Sequence, residues 1–362
     1  MAVKYLSGKR LQGTAAERTA LNLASPPATS WKELGRITAG SGGSSSLTTS
    51  AFADKDNLMI LYNSIGADPQ FRVGNSSIDT GTNYALRRSE DYGSDGTLTS
   101  SPHNAYWYVN GGSGASGSEH VFGVTEGINA AAQEKLFSLH LADNADGTGA
   151  GTGMGAYEIA MKWANTSNQI NIWRMFSSGT MAEGSEVVVL GMDNDEADSG
   201  TNFWQELASE ELSSSAASIT ASITAKKYIY FEWNTEGIPA GNETHLRLGN
   251  SSVDTGSNYA YTYSVNGGSA SAYNSKSFIK INNNAANEDN YGHGYIINKS
   301  DKEKLVITEM NETVSGAGNS PMRQQTVAKW VNTSNQFDKM QIKTSSGSNF
   351  GVGTYIKVWG AG

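Results

Sequence analysis

The sequence predicts an all-β protein: two tandem, homologous jelly-roll-like β-sandwich domains preceded by a short N-terminal arm. Three observations carry that reading. A long motif occurs twice, the segments between turn clusters have strand length, and helical periodicity is nearly absent. The repeat comes first. Arg72-Val73-Gly74-Asn75-Ser76-Ser77-Ile78-Asp79-Thr80-Gly81-Thr82-Asn83-Tyr84-Ala85 returns as Arg247-Leu248-Gly249-Asn250-Ser251-Ser252-Val253-Asp254-Thr255-Gly256-Ser257-Asn258-Tyr259-Ala260, 175 residues on (247 minus 72). Lys162-Trp163-Ala164-Asn165-Thr166-Ser167-Asn168-Gln169-Ile170 returns as Lys329-Trp330-Val331-Asn332-Thr333-Ser334-Asn335-Gln336-Phe337, 167 residues on (329 minus 162). Two such matches in one order are a tandem duplication. Trp31-Lys32-Glu33-Leu34 pairs with Trp204-Gln205-Glu206-Leu207, and Glu134-Lys135-Leu136 with Glu303-Lys304-Leu305. The drifting offset places insertions in loops. Each unit, at roughly 160 residues, is large enough for its own core.

The elements follow in chain order. Residues 1–29 form the arm; its amphipathic stretch, residues 14–23, is the best helical candidate and is set off by Pro26-Pro27. Residues 30–192 make the first sandwich, 193–202 an acidic linker and 203–362 the second sandwich. Gly is abundant (41) and Pro scarce (6). Apolar or alternating segments at 57–62, 105–109, 227–233, 277–281 and 304–308 are bounded by Gly, Ser and Asn clusters and are rich in aromatic and β-branched residues. Such strands, joined by turns without helices, predict a sandwich or barrel, and about eight strands per copy would suit a jelly roll. An immunoglobulin-like sandwich is the alternative, though its usual size is about 100 residues.

Composition excludes several function classes. With no Cys there are no disulfides and no thiolate metal sites. A net charge of −9 without a basic patch argues against nucleic-acid binding. No apolar run is long enough to span a bilayer, and residues 1–10 lack the apolar core of a signal peptide. The expectation is a soluble protein made in the cytoplasm without export. Seven Asn-x-Ser/Thr sequons (Asn75, Asn165, Asn242, Asn250, Asn298, Asn311, Asn332) are then expected to stay mostly unmodified.

Catalytic chemistry is not expected. There is no nucleophile elbow, phosphate-cradling loop or metalloprotease helix. The carboxylate pair Glu90-Asp91 has Val265-Asn266 as its counterpart, so the duplication carries no glycosidase pair. The five histidines, His103, His120, His140, His245 and His293, show no metal-ligand spacing and are expected in surface or turn positions. No cofactor is required, and calcium is the one left open. Its candidate ligands are Asp143 and Asp146 in one loop and Asp193 and Asp195 in the other. Solvated turns are the simpler reading of both. Asp79 and Asp254, each two residues before a Gly, read as tight turns. Trp107 alternates with Tyr106 and Tyr108, so it should face opposite the two tyrosines. Core packing is the favoured role for this segment; Tyr106 and Tyr108 are the candidates for stacking on a sugar. Trp163 and Trp330 are expected to pack in the core or at a sheet edge, beside the same Asn-Thr-Ser-Asn turn in both copies.

The opening Met1-Ala2-Val3-Lys4-Tyr5-Leu6-Ser7-Gly8-Lys9-Arg10-Leu11-Gln12-Gly13-Thr14-Ala15-Ala16-Glu17-Arg18 resembles the start of structural proteins of tailed phages and archaeal viruses. Trp31-Lys32-Glu33-Leu34-Gly35, Thr82-Asn83-Tyr84-Ala85, Lys162-Trp163-Ala164-Asn165-Thr166-Ser167 and Gly184-Ser185-Glu186-Val187-Val188-Val189-Leu190-Gly191 resemble jelly-roll modules of such virion surface proteins. The resemblance spans nearly the whole chain, through turns and strand ends, and carries no catalytic residue. It implies a non-enzymatic virion protein on the particle surface, as capsid decoration, head fibre, spike or tail adhesin, usually multimeric. Its partners would be other virion proteins, docked through the arm, and a host-surface glycan; a trimer is one common form. Rival readings are a major capsid protein with two jelly rolls per chain, a free carbohydrate-binding module, and a glycosidase or lyase domain.

Overall fold

In the computed structural model the described residues are 31–90, 99–109, 120–144, 147–193, 202–238, 241–285, 288–313 and 320–362. The expected helical stretch of the arm lies outside them. Among the described residues there is no helix.

The first copy runs β1 (Lys32–Thr38), β2 (Ser44–Thr48), β3 (Asn57–Ile65), β4 (Gln70–Asn75), β5 (Ser77–Ile78) and β6 (Tyr84–Glu90). It continues with β7 (Thr99–Asn104), β8 (Trp107–Tyr108), β9 (His120–Ile128), β10 (Lys135–Asp143), β11 (Gly155–Trp163), β12 (Ile172–Met181) and β13 (Glu186–Met192). The second copy runs β14 (Gln205–Glu211), β15 (Ser218–Ser222), β16 (Tyr228–Ile238), β17 (Asn242–Asn250), β18 (Ser252–Val253) and β19 (Tyr259–Val265). Its remaining strands are β20 (Ser271–Lys276), β21 (Ile279–Ala285), β22 (Glu288–Ile297), β23 (Lys304–Glu312), β24 (Met322–Trp330), β25 (Lys339–Thr344) and β26 (Tyr355–Ala361).

An eight-stranded sheet of order β1-β13-β3-β9-β10-β11-β6-β7 faces a five-stranded sheet of order β2-β12-β4-β5, with β8 also paired to β4. The second copy repeats both sheets, each strand replaced by the one thirteen later. The fold is therefore two homologous antiparallel β-sandwiches. Thirteen strands per copy exceed the expected eight, because β5 and β8 are two-residue ladders and Ser-rich β2 has no strong apolar signal. The strand expected over 105–109 is only Trp107–Tyr108.

Each sandwich closes on its own core. Leu58, Ile60, Tyr62, Phe71, Trp107, Trp163 and Trp173 fill the first, and Ile229, Phe231, Trp233, Leu246, Tyr259 and Trp330 the second. A third apolar layer joins the copies. Met59, Leu61, Phe122, Val124, Val188 and Leu190 of the first large sheet pack against Tyr228, Ile297, Leu305, Ile307 and Val327 of the second. The molecule is thus a four-layer stack, small sheet, large sheet, large sheet, small sheet. This explains why residues 57–62 and 187–190 are nearly unbroken apolar runs, since strands covered on both faces need apolar residues at every position.

The duplicated motif is a structural clasp. Asp79 accepts from the Gly81 amide (2.8 Å), Asn83 Nδ2 (2.8 Å) and Trp163 Nε1 (2.8 Å). Asp254 accepts from the Gly256 amide (2.8 Å), Asn258 Nδ2 (2.9 Å) and Trp330 Nε1 (2.8 Å). These donors hold both carboxylates below the ordinary range against the opposing effect of burial. Tyr84 and Tyr259 complete the clasp by donating to backbone carbonyls of β4 and β17. Both tryptophans are fully buried, as expected. Gly74 and Gly249 are required beside it: a Cβ there would lie 1.8 and 1.9 Å from the Ser77 and Ser252 carbonyl oxygens.

Candidate functional site

Equivalent positions of the two copies meet across the central layer. Leu136 and Leu305 share one register, opposite Ile128 and Ile297, so His140 corresponds to Glu309 and Glu126 to Tyr295. His140 Nδ1 lies 3.0 Å from Glu309 Oε1, and Tyr295 Oη donates to Glu126 Oε1 at 2.8 Å. Contacts between like positions are the signature of a two-fold, isologous interface. Here both halves belong to one chain.

The two ends of this interface differ. At one end the sheets are in tight contact. Phe122 packs on Tyr228, while Glu186 accepts from Tyr228 Oη (2.7 Å) and pairs with Lys227 and Arg36 (2.8 Å each). Burial opposes the Glu186 charge, but Lys227 with the Thr38 and Tyr228 hydroxyls holds its carboxyl below the ordinary range. A loop of the first copy closes over the second. Lys329 Nζ donates to the Gly147 carbonyl (2.8 Å) and Thr152 Oγ1 (2.6 Å), and the Gly149 amide donates to Glu303.

Toward the other end, exposure rises along each strand. On β16 and β22 it grows from buried Tyr228 and Ile297, through half-buried Tyr230 and Tyr295, to Tyr291 at 40%. On the first copy Ile128 and Leu136 are 48% and 56% exposed. These three are among the four exposed large hydrophobic residues of the described chain, and all lie on strands of the two large sheets that face each other. Between the ends, two cavities of about 130 and 330 Å³ share Ser138, His140 and Glu309. The smaller is lined also by Glu126, His293 and Tyr295, the larger by Glu158, Arg87 and Arg323.

Aromatic rings concentrate on the second copy's half. Tyr230 lies 5.4 Å from Trp359, 5.1 Å from Tyr295 and 6.3 Å from His293, ring to ring. Tyr230 Oη donates to Glu232 (2.7 Å), and Lys357 sits over Tyr355 at 5.2 Å. Burial and the Glu232 charge push Tyr291 up to about 12, so its hydroxyl is a neutral donor at physiological pH. In the first copy Met59, Phe122, Val188 and Leu190 occupy the places of Tyr230, Tyr291, Lys357 and Trp359.

The residues expected from sequence lie elsewhere. Asp193 binds Lys55 Nζ and the Asp56 amide, both at 2.8 Å, so each of its oxygens has a partner. Asp143 is fully buried at the far end of the same sheet, and Asp146 and Asp195 lie outside the described residues. Gly147 and Thr152, a few residues on from Asp143, accept from the Lys329 ammonium. Trp107 is in the core, opposite Tyr106, as expected. The two tyrosines do not form one platform: Tyr106 packs edge-on to Phe176 beneath Arg72, whereas Tyr108 lies beneath Arg88. In the second copy Tyr263 and Lys280 stand in the places of Arg88 and Tyr108, 5.0 Å apart, so cation and ring have exchanged strands. That exchange marks a packing contact that both copies preserve.

Of the histidines, His120 and His245 are buried strand residues, 2% and 4% exposed, against the surface-or-turn expectation; burial pushes His120 down to about 3 and keeps it neutral. His140, on a strand and partly exposed, departs from that expectation as well. It is cross-strand from Glu158 and faces Glu309, a grouping no linear spacing could reveal because one member comes from the other copy.

No protein-family model matches the chain, and no curated protein matches it in sequence. Among solved structures, mouse laminin alpha1 chain domains LG4-5 is similar at 10% identity and a TM-score of 0.20, over 92% of this chain and 91% of that one. The LG1-3 region of the laminin alpha2 chain is similar at 8% identity and a TM-score of 0.20, over 90% of this chain and 62% of that one. Likeness at this level carries no functional inference.

Proposed function

We propose that this chain is a non-enzymatic attachment protein that binds carbohydrate at the open end of the interface between its two large sheets. The observation that supports it is the contrast between equivalent positions. Where the first copy places Met59, Phe122, Val188 and Leu190, all buried, the second places Tyr230, Tyr291, Lys357 and Trp359 on the less covered half. Aromatic faces cover the apolar side of a sugar ring, while neighbouring carboxylate, ammonium and phenol groups fix its hydroxyls. Glu232, Lys357 and the neutral Tyr291 hydroxyl supply such groups. Glycan-array screening followed by calorimetry with the best oligosaccharide tests this. Binding that Tyr291→Ala and Tyr355→Ala each weaken by about tenfold, a loss of ~1.4 kcal/mol, supports it. Absence of binding, or binding indifferent to both, overturns it.

The setting we propose is a virion surface, with the arm docked on the particle. Support comes from the resemblance of residues 1–18 and the strand-end motifs to virion proteins. Quantitative mass spectrometry of purified particles is the test. Tens to hundreds of externally labelled copies fit an accessory protein, thousands would make it the shell, and absence would reject the setting.

A further inference from the structure

The geometry points to a divalent transition-metal site, of the zinc class, formed by His140, Glu158 and Glu309 at the junction of the two copies. One ligand atom from each residue lies within 4.8 Å of the others, with His140 Nδ1 3.0 Å from Glu309 Oε1 and 3.9 Å from Glu158 Oε1. A tetrahedral ion with bonds of about 2.0–2.2 Å separates its ligand atoms by roughly 3.4 Å. Rotating two half-exposed glutamate side chains closes the difference. One imidazole nitrogen and two carboxylates make a donor set that suits zinc or its neighbours better than calcium, which takes six to eight oxygens.

Two further observations favour an ion over a simple ion pair. The His140–Glu309 contact occupies one carboxylate only; that of Glu158, 28% exposed and 3.9 Å from His140 Nδ1, accepts no hydrogen bond among the described residues. The adjoining cavity of about 130 Å³ leaves space for water in a fourth coordination position. Arg323 and Arg87 line the larger cavity and oppose a cation, whereas Glu126 on the other side favours one. His140 and Glu158 come from neighbouring strands of the first copy and Glu309 from the second, so a bound ion would tie the copies together.

The test needs no glycan and is independent of the carbohydrate reading. Tag-free, EDTA-treated full-length chain is titrated with zinc chloride by calorimetry, with calcium chloride as comparison. The expected result is one zinc per chain, at least ~10-fold weaker in His140→Ala and in Glu309→Gln. Zinc should also raise the melting temperature of the parent chain and leave both variants unmoved, since only ligand bound to the folded state stabilises it. Circular dichroism of the zinc-free variants verifies their folding. No saturable zinc binding, or binding unchanged in both variants, overturns the site.

Discussion

Lys162 and Lys329 hold the same place in the duplicated motif, each one residue before a buried tryptophan, yet they live in different environments. The Lys162 side chain is 39% exposed and pairs with Glu134, itself 42% exposed, at 3.0 Å. The Lys329 side chain is 0% exposed; with Glu303 it is sealed under the first copy's 147–152 loop. Leu136 and Leu305 divide the same way, one 56% exposed and the other fully buried. Sequence identity between copies therefore preserves what each sandwich needs internally. Residues on the outer face of the large sheet answer to the neighbouring copy, and that neighbour covers only one end.

The comparison can be broken at its largest contrast. Leu305→Ala should cost about 3 kcal/mol through lost burial and a residual cavity, whereas Leu136→Ala should stay within about 0.5 kcal/mol. Denaturant unfolding monitored by tryptophan fluorescence measures both, and equal costs would mean that the copies do not stack this way in solution. Next come the lysines. Lys329→Ala leaves Glu303 buried without its cation and should cost about 2–3 kcal/mol, while Lys162→Ala breaks only a surface pair worth less than about 1 kcal/mol.

Among the three buried groups the smallest effect belongs to Glu186, whose removal should cost about 2 kcal/mol, reduced from the fully buried case because Lys227 and Arg36 still reach water. Its folded pKa is depressed, so its stabilisation is fully present above the ordinary carboxylate value and is lost as pH falls through the folded value. Melting temperature measured from pH 7 down to pH 3 should therefore fall less steeply in Glu186→Gln than in the parent chain. Parallel pH profiles would remove this carboxylate from the interface.

Much of the sandwich was legible because local chemistry leaves local traces. Gly-rich turns bound the strands, and the Asp79 and Asp254 clasps recur because the carboxylate, Asn and Trp donor must keep their spacing. Edge strands such as Ser44–Thr48 were not legible, since pairing on one side asks little of their side chains. The candidate site was illegible for another reason. His140 and Glu158 are polar residues at alternating strand positions, indistinguishable by pattern from any solvated face, until Glu309 arrives from 169 residues away (309 minus 140). Tyr106 and Tyr108 alternate with a core tryptophan as a sugar platform would, but Arg72 and Arg88 lie over those rings.

By itself, then, the sequence determined the duplication, the strand character and the inward-facing residues of each sandwich, because hydrophobic alternation and turn chemistry act over a few residues. The tertiary structure alone decided how the two large sheets meet. Which outer-face residues become core, latch or cleft depends on the offset and tilt of one copy on the other, and contacts between distant strands leave no periodic signal in either.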